Sequence, residues 1–122
     1  NFLADAQVYM VLPYLGEDTL SARLRTHLLH AQPRWPDLEE CAAALHMAVS
    51  TLQRRLASEG TSFRTLRDSL RRDIAIARLN SSSAPLATLA GELGFADSAA
   101  FQRAFKAWTG LSPGSFRRTG RP

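Results

Sequence analysis

A chain of 122 residues and 13.4 kDa, 45% of it hydrophobic, makes one domain with a real core, or one domain and a tail. Cys41 is its single cysteine and no apolar run approaches ~18 residues, which excludes an internal disulfide framework and a helix across a bilayer. The net charge of +4 is lopsided: residues 1–59 hold five Lys/Arg against seven Asp/Glu, whereas residues 60–122 hold ten against four. Fourteen of the fifteen basic residues are Arg, whose planar fork suits bidentate contact with phosphate or guanine. A GC-rich genome would also raise the Arg count, so positions weigh more than numbers.

Residues 1–16, NFLADAQVYMVLPYLG, differ in character from the rest. They are apolar, carry one charge and lack helical caps, and Val8 to Leu12 is strand-like by content before Pro13 and Gly16 close it off. The segment reads as a linker or the remnant of an upstream domain, or equally as an arm packed on this domain's own core. Because the chain does not start with Met, we expect it to be a piece of something longer. It shows no signal-peptide pattern, which with the lone cysteine fits a reducing compartment.

From Glu17 to about Ala31, Leu20, Leu24, Leu28 and Leu29 recur at helical spacing. Glu17 or Asp18 in the first turn and His27 and His30 in the last would complement the helix dipole. His27 and His30 stand at i, i+3, a spacing that metal sites use, but no further ligand lies near them, so no metal is expected. Gln32 to Pro36, with two prolines and Trp35, is a connector. Asp37 and Glu40 then open a helix as a capping box, with Leu38, Cys41, Ala42 and Leu45 facing inward. Cys41 lacks a positioned base and reads as a small buried hydrophobe. A turn at His46 to Ala48 leads to a second helix, Val49 to about Ser58, which Gly60 ends. Two short helices joined by about three residues form a helix-turn-helix pattern over about 37–59.

Ser62 to about Asn80 reads as one long helix with a core stripe of Phe63, Leu66, Leu70, Ile74 and Ala77. Arg64, Arg67, Arg71, Arg72 and Arg78 lie elsewhere on its surface. At 1.5 Å per residue, ~18 residues span ~27 Å, near the ~34 Å between successive major-groove faces of B-DNA. Such a rod can hold two reading helices in adjacent turns of one duplex. Ser81 to Ser83 and Pro85 reset the chain.

The first motif then recurs over about 85–109. Leu38, Cys41, Ala42 and Leu45 return as Leu86, Leu89, Ala90 and Leu93, an offset of 48. Leu52-Gln53-Arg54-Arg55-Leu56 returns as Phe101-Gln102-Arg103-Ala104-Phe105, an offset of 49, and Gly60-Thr61-Ser62 as Gly110-Leu111-Ser112. Phe101, Phe105 and Trp108 stand on one stripe, with Ala99, Gln102, Arg103 and Lys106 on another. Gly110 supplies a left-handed stop, and Ser112 and Pro113 suit an N-cap and a first helical residue. A helix anchored by aromatics with Gln and Arg on its free face is built for presentation to DNA.

GFADSAAFQRAFKAWTGLSPGSFR, residues 94–117, strongly resembles the signature of the AraC/XylS family of bacterial transcription regulators. QRRLASEGTSFRTLRDSLRR, from Gln53 on, resembles that family's first recognition helix and linker helix. The likeness covers about residues 17–118. It implies an all-α fold of about seven helices, with two helix-turn-helix subdomains joined by a long linker helix (about 62–80), both binding DNA. It implies a sensor domain elsewhere on the same chain, leaving residues 17–122 as the DNA-binding domain. Two departures stand out: Ala48 where Ser commonly caps the first recognition helix, and Pro85 where a cap of the second scanning helix is usual, with Ser83 as a substitute cap.

Equivalent faces then offer Ser50, Gln53, Arg54 and Ala57 in one helix and Ala99, Gln102, Arg103 and Lys106 in the other. Gln pairs adenine through N6 and N7, and Arg pairs guanine through O6 and N7. Base contact is expected from Ser50, Gln53, Arg54, Ala99, Gln102 and Arg103, with Ala99 against a thymine methyl. Thr51, Arg55, Arg64, Ser98, Lys106, Ser115 and Arg117 are expected at the DNA backbone. Double-stranded DNA is the expected partner, with RNA polymerase beside it, and no membrane. The fragment is expected to be monomeric, with any dimer formed through the missing domain, at the bacterial nucleoid in the cytoplasm. Three scattered His, one buried-looking Cys and no phosphate-binding Gly loop argue against an enzyme, and no cofactor is expected. The rival reading is a helical protein-interaction module that keeps the fold without binding DNA.

Overall fold

The computed structural model describes residues 19–120, so residues 1–16 and the strand-like Val8 to Leu12 lie outside it. Seven helices and no strand occur among the described residues: α1 Leu20–His30, α2 Leu38–Ala44, α3 Val49–Ser58, α4 Phe63–Ser81, α5 Leu86–Glu92, α6 Ser98–Thr109 and α7 Pro113–Gly120. The chain forms two compact units, one of residues up to 32 with 36–67, the other of 33–35 with the chain from 68 onward.

The first unit has an aliphatic core. Leu20, Leu24 and Leu28 of α1, Cys41 and Ala42 of α2, and Leu52 and Leu56 of α3 are all buried. α3 packs on both α1 and α2. Thr19 caps α1 by accepting from Ala22 N, so the helix starts later than the acidic pair at 17 and 18 suggests, and its first turn holds no acid. The anion comes from far along the chain instead. Glu59, just past α3, accepts from Leu20 N at 3.0 Å and Ser21 N at 2.9 Å, satisfying two otherwise unpaired donors of the helix start. Asp37 caps α2 in a full capping box with Glu40.

The second unit has an aromatic core. Phe101 and Phe105 are fully buried with Ala75, Leu79, Leu89, Ala90 and Leu93, while Trp35, Phe95, Trp108 and Phe116 pack around them. Phe105 meets Phe101, Trp108 and Phe116 edge-on at 5.9, 6.5 and 5.6 Å between centroids, a geometry favoured by the ring quadrupoles. Trp35 belongs to this unit rather than being mere connector. Its Nε1 donates to Glu92 O at 2.9 Å, and the Arg71 guanidinium lies 5.3 Å from its ring and 4.5 Å from that of Phe95.

α4 departs from its expected stripe. Leu70, Ala75 and Leu79 are its buried residues, and Ala77 is exposed. Ala75 and Leu79 stand roughly 120° and 160° round the helix from Phe63 at 100° per residue. The helix contributes Phe63–Arg67 to one unit and the remainder to the other, so a single straight stripe cannot serve it.

The start of α5 also differs from expectation. Pro85 itself is the cap residue, with φ −58° and ψ 149°, no side-chain cap bond forms, and Ser83 takes no part. The preceding carbonyl, Ala84 O, is instead gripped by Arg117 Nη1 at 2.8 Å.

Candidate nucleic-acid interface

The two helix-turn-helix turns are the same backbone motif. His46 N donates to Ala43 O and Met47 N to Ala42 O; Gly94 N donates to Gly91 O and Phe95 N to Ala90 O. Both are Schellman closures, which need a left-handed residue just past the helix. Gly94 supplies it with φ 81°, whereas the first turn forces His46 to φ 60°. At Gly94 a Cβ would come within 2.8 Å of the Trp35 ring, so both backbone and space demand glycine there.

Each turn delivers a helix whose core face is fixed by two large residues four apart: Leu52 and Leu56 in α3, Phe101 and Phe105 in α6. The rest of the helix surface, roughly 80° to 180° round from that face, carries Ser50, Gln53, Arg54 and Ala57 in α3, all exposed. In α6 it carries Ala99, Arg103 and Lys106, exposed, and Gln102, partly buried. Neither α3 nor α6 contains an acidic residue. Arg54, Arg103 and Lys106 make no ion pair with any described residue, so their charges are directed at solvent or a partner. Unpaired cations on two acid-free faces are suited to an anionic ligand.

The helix starts differ. α3 begins after Ala48, with no side-chain cap bond. α6 begins after Asp97, whose carboxylate accepts from Ala100 N at 2.8 Å, and it ends on left-handed Gly110. Ser98, expected at the DNA backbone, accepts from Gln102 Nε2 at 2.9 Å. Thr51 is half-buried in the first turn of α3, while Arg55 and Arg64 are exposed. Ser115 lies in the first turn of α7, its N–H donating to the Ser112 cap and its hydroxyl accepting from Arg118.

Arg117 does not join these faces. Nη1 is committed to Ala84 O, and Nε and Nη2 are buried in the protein. The structure gives it a packing role that ties α7 to the entry of α5, and it leaves the set of backbone-contact residues. Sequence reasoning missed Trp35, Arg71 and Glu59, which hold the scaffold behind the reading helices. A Trp flanked by Pro33 and Pro36 in a short connector was the available signal, since so large an apolar surface has to be covered.

Residues 41–119 match a family of helix-turn-helix domains. The chain belongs to the AraC/XylS family. It is 39% identical over 101 residues to the ornithine utilization regulator of Pseudomonas aeruginosa, covering 83% of this chain and 30% of that protein. Likewise it is 35% identical over 98 residues to the urease operon transcriptional activator of Escherichia coli, covering 79% of this chain and 33% of that protein. The chain thus spans about a third of the length of these curated relatives. Among solved structures it resembles CdpR from Pseudomonas aeruginosa, with a TM-score of 0.78 and 33% identity over 81% of this chain and 31% of that one. The DNA-binding domain of AdpA, solved with a target DNA, matches with a TM-score of 0.74 and 25% identity over 83% of this chain and 92% of that one. Within the AraC/XylS family this region is the sequence-specific DNA-binding domain.

Proposed function

We propose that the domain reads duplex DNA by inserting α3 and α6 into successive major-groove segments about ten base pairs apart. The observation that supports this most is the repeated face: Arg54 and Arg103 stand at equivalent positions, both exposed and unpaired among the described residues, on helices free of acid. On this reading Arg54 and Arg103 take guanine, Gln53 and Gln102 take adenine, and Ser50 and Ala99 lie close to base edges, Ala99 against a thymine methyl. Lys106, Thr51, Arg55, Arg64 and Ser115 hold phosphates, which fixes register and makes affinity fall with salt. As part of a longer bacterial regulator the domain would work beside RNA polymerase at the nucleoid, as a monomeric reading unit, with dimerisation left to the rest of the chain. It binds and does not catalyse.

The test is helical phase. A duplex selected from random sequence should lose tight binding when about five base pairs are inserted between the two segments, because half a turn carries one of them to the far side. Affinity that survives the insertion would mean that one motif alone reads DNA. Failure to bind any duplex at any salt concentration would favour the protein-interaction module.

A further inference from the structure

We propose that Ser98 is a positioning residue that makes α6 a strict reader of adenine, and that α3 lacks the device and reads loosely. The inference rests on the reading that α6 meets base edges. Asp97 occupies the cap position and closes the first turn through Ala100 N, which frees the next hydroxyl, that of Ser98, from capping. Side chains on a helix lean toward its N-terminus, so Gln102 lies back over Ser98 one turn earlier. There Gln102 Nε2 donates to Ser98 Oγ at 2.9 Å.

That single bond decides what the carboxamide can offer. An amide group has two N–H donors and one acceptor oxygen. With one N–H spent on Ser98, the other N–H and Oε1 remain, in a fixed order. This is the donor–acceptor pair that adenine N7 and its N6 amino group require. Guanine presents two acceptors, N7 and O6, and a freely turning amide can accommodate it by offering nitrogen to both. An amide held as donor to Ser98 turns Oε1 toward O6, and to offer nitrogen to both acceptors it would first have to turn over and accept from the Ser98 hydroxyl instead.

At the offset of 49 that aligns Gln102 with Gln53, Ser98 aligns with Val49 and Asp97 with Ala48. Neither Val49 nor Ala48 has a hydroxyl or carboxylate, and Gln53 is exposed with no hydrogen bond to any described residue. Gln53 must therefore be ordered by the DNA itself, in either amide orientation, whereas Gln102 is ordered beforehand.

Two measurements on this chain test the assignment. In the free protein, ¹⁵N relaxation should show the Gln102 side-chain amide more ordered than that of Gln53, with the difference lost in Ser98→Ala and kept in Ser98→Thr. On DNA, Gln102→Ala identifies the base pair concerned. There Ser98→Ala should cut adenine-over-guanine discrimination about two- to tenfold, the factor expected for ordering one long side chain. Ser98→Thr should restore the discrimination, and Val49→Thr should raise it at the base pair that Gln53→Ala identifies. Equal mobility of the two amides, or discrimination untouched by Ser98→Ala, overturns the positioning role while leaving DNA reading intact. A wild-type chain with an ordered Gln102 amide and no base preference overturns the DNA reading, and this inference with it.

Discussion

The two helix-turn-helix units share one backbone solution and finish it with different side chains. Both turns close through the same pair of Schellman bonds, and both reading helices are pinned by two large residues four apart. Beyond that they diverge. The first has an aliphatic core, an uncapped reading helix and a histidine held at φ 60°; the second has an aromatic core, an aspartate cap and a glycine at φ 81°. Main-chain hydrogen bonding thus fixes the motif, while the side chains decide how firmly each copy is held. The second copy is tied from outside the motif by Trp35, which donates to Glu92 O 57 residues on. In the first, α1 is completed by Glu59, 38 and 39 residues from the donors it receives.

The sharpest way to break the contrast is through the aromatic core. Phe105→Ala should cost about 3–5 kcal/mol, because it opens a cavity and removes three ring contacts. Urea denaturation followed by circular dichroism measures it. Next come the turns. Gly94→Ala combines a left-handed backbone with a Cβ 2.8 Å from the Trp35 ring, and should cost about 2–4 kcal/mol. His46→Gly, at the equivalent place, should change stability by less than about 1 kcal/mol, relief of strain being offset by the entropy of the unfolded chain. Equal effects at the two turns would remove the contrast between them.

The caps follow. Asp97→Ala should destabilise by about 1 kcal/mol, and Ala48→Ser should stabilise by a similar amount by supplying the missing cap. Amide hydrogen exchange resolves both, slowing in the first turn of α3 for Ala48→Ser and quickening in that of α6 for Asp97→Ala.

The smallest effect concerns Glu59. Partial desolvation raises its pKa, but hydrogen bonds from Ser21 and Leu20 and the charge of Arg55 outweigh it, so the carboxyl titrates below its usual 4.5. A depressed folded value means that the stabilisation is complete above about pH 4.5 and is lost as pH falls through the folded value. The group is exposed, so screening holds the gain to roughly 0.5 kcal/mol. The stability gap between wild type and Glu59→Gln should therefore be small at pH 7 and vanish in acid.

What was legible in the sequence is what neighbouring residues decide. The capping box at Asp37 and Glu40, the stop at Gly110, the Ser112–Pro113 start and the Leu/Phe stripes all work within one or two turns, and all were read directly. The repeat itself was legible because both copies need the same residues at the same turn positions. What escaped was long-range. Trp35 finds Glu92 O across 57 residues, and Arg117 finds Ala84 O across 33. Arg117 looked like a phosphate ligand because composition cannot tell a guanidinium that packs from one that is presented. The stripe of α4 was misread at Ala77 because one helix serves two cores. The face of Gln102 was legible, but its tether to Ser98 was not, since a hydroxyl at a helix start serves equally as cap, phosphate donor or side-chain anchor.

The most direct test of paired reading is base-by-base preference, measured by selection from random duplexes for wild type, Arg54→Ala and Arg103→Ala. Each variant should relax one position by about 1–3 kcal/mol, with the two positions about ten base pairs apart, one turn of the duplex. Relaxation of the same position by both, or of none, would contradict it.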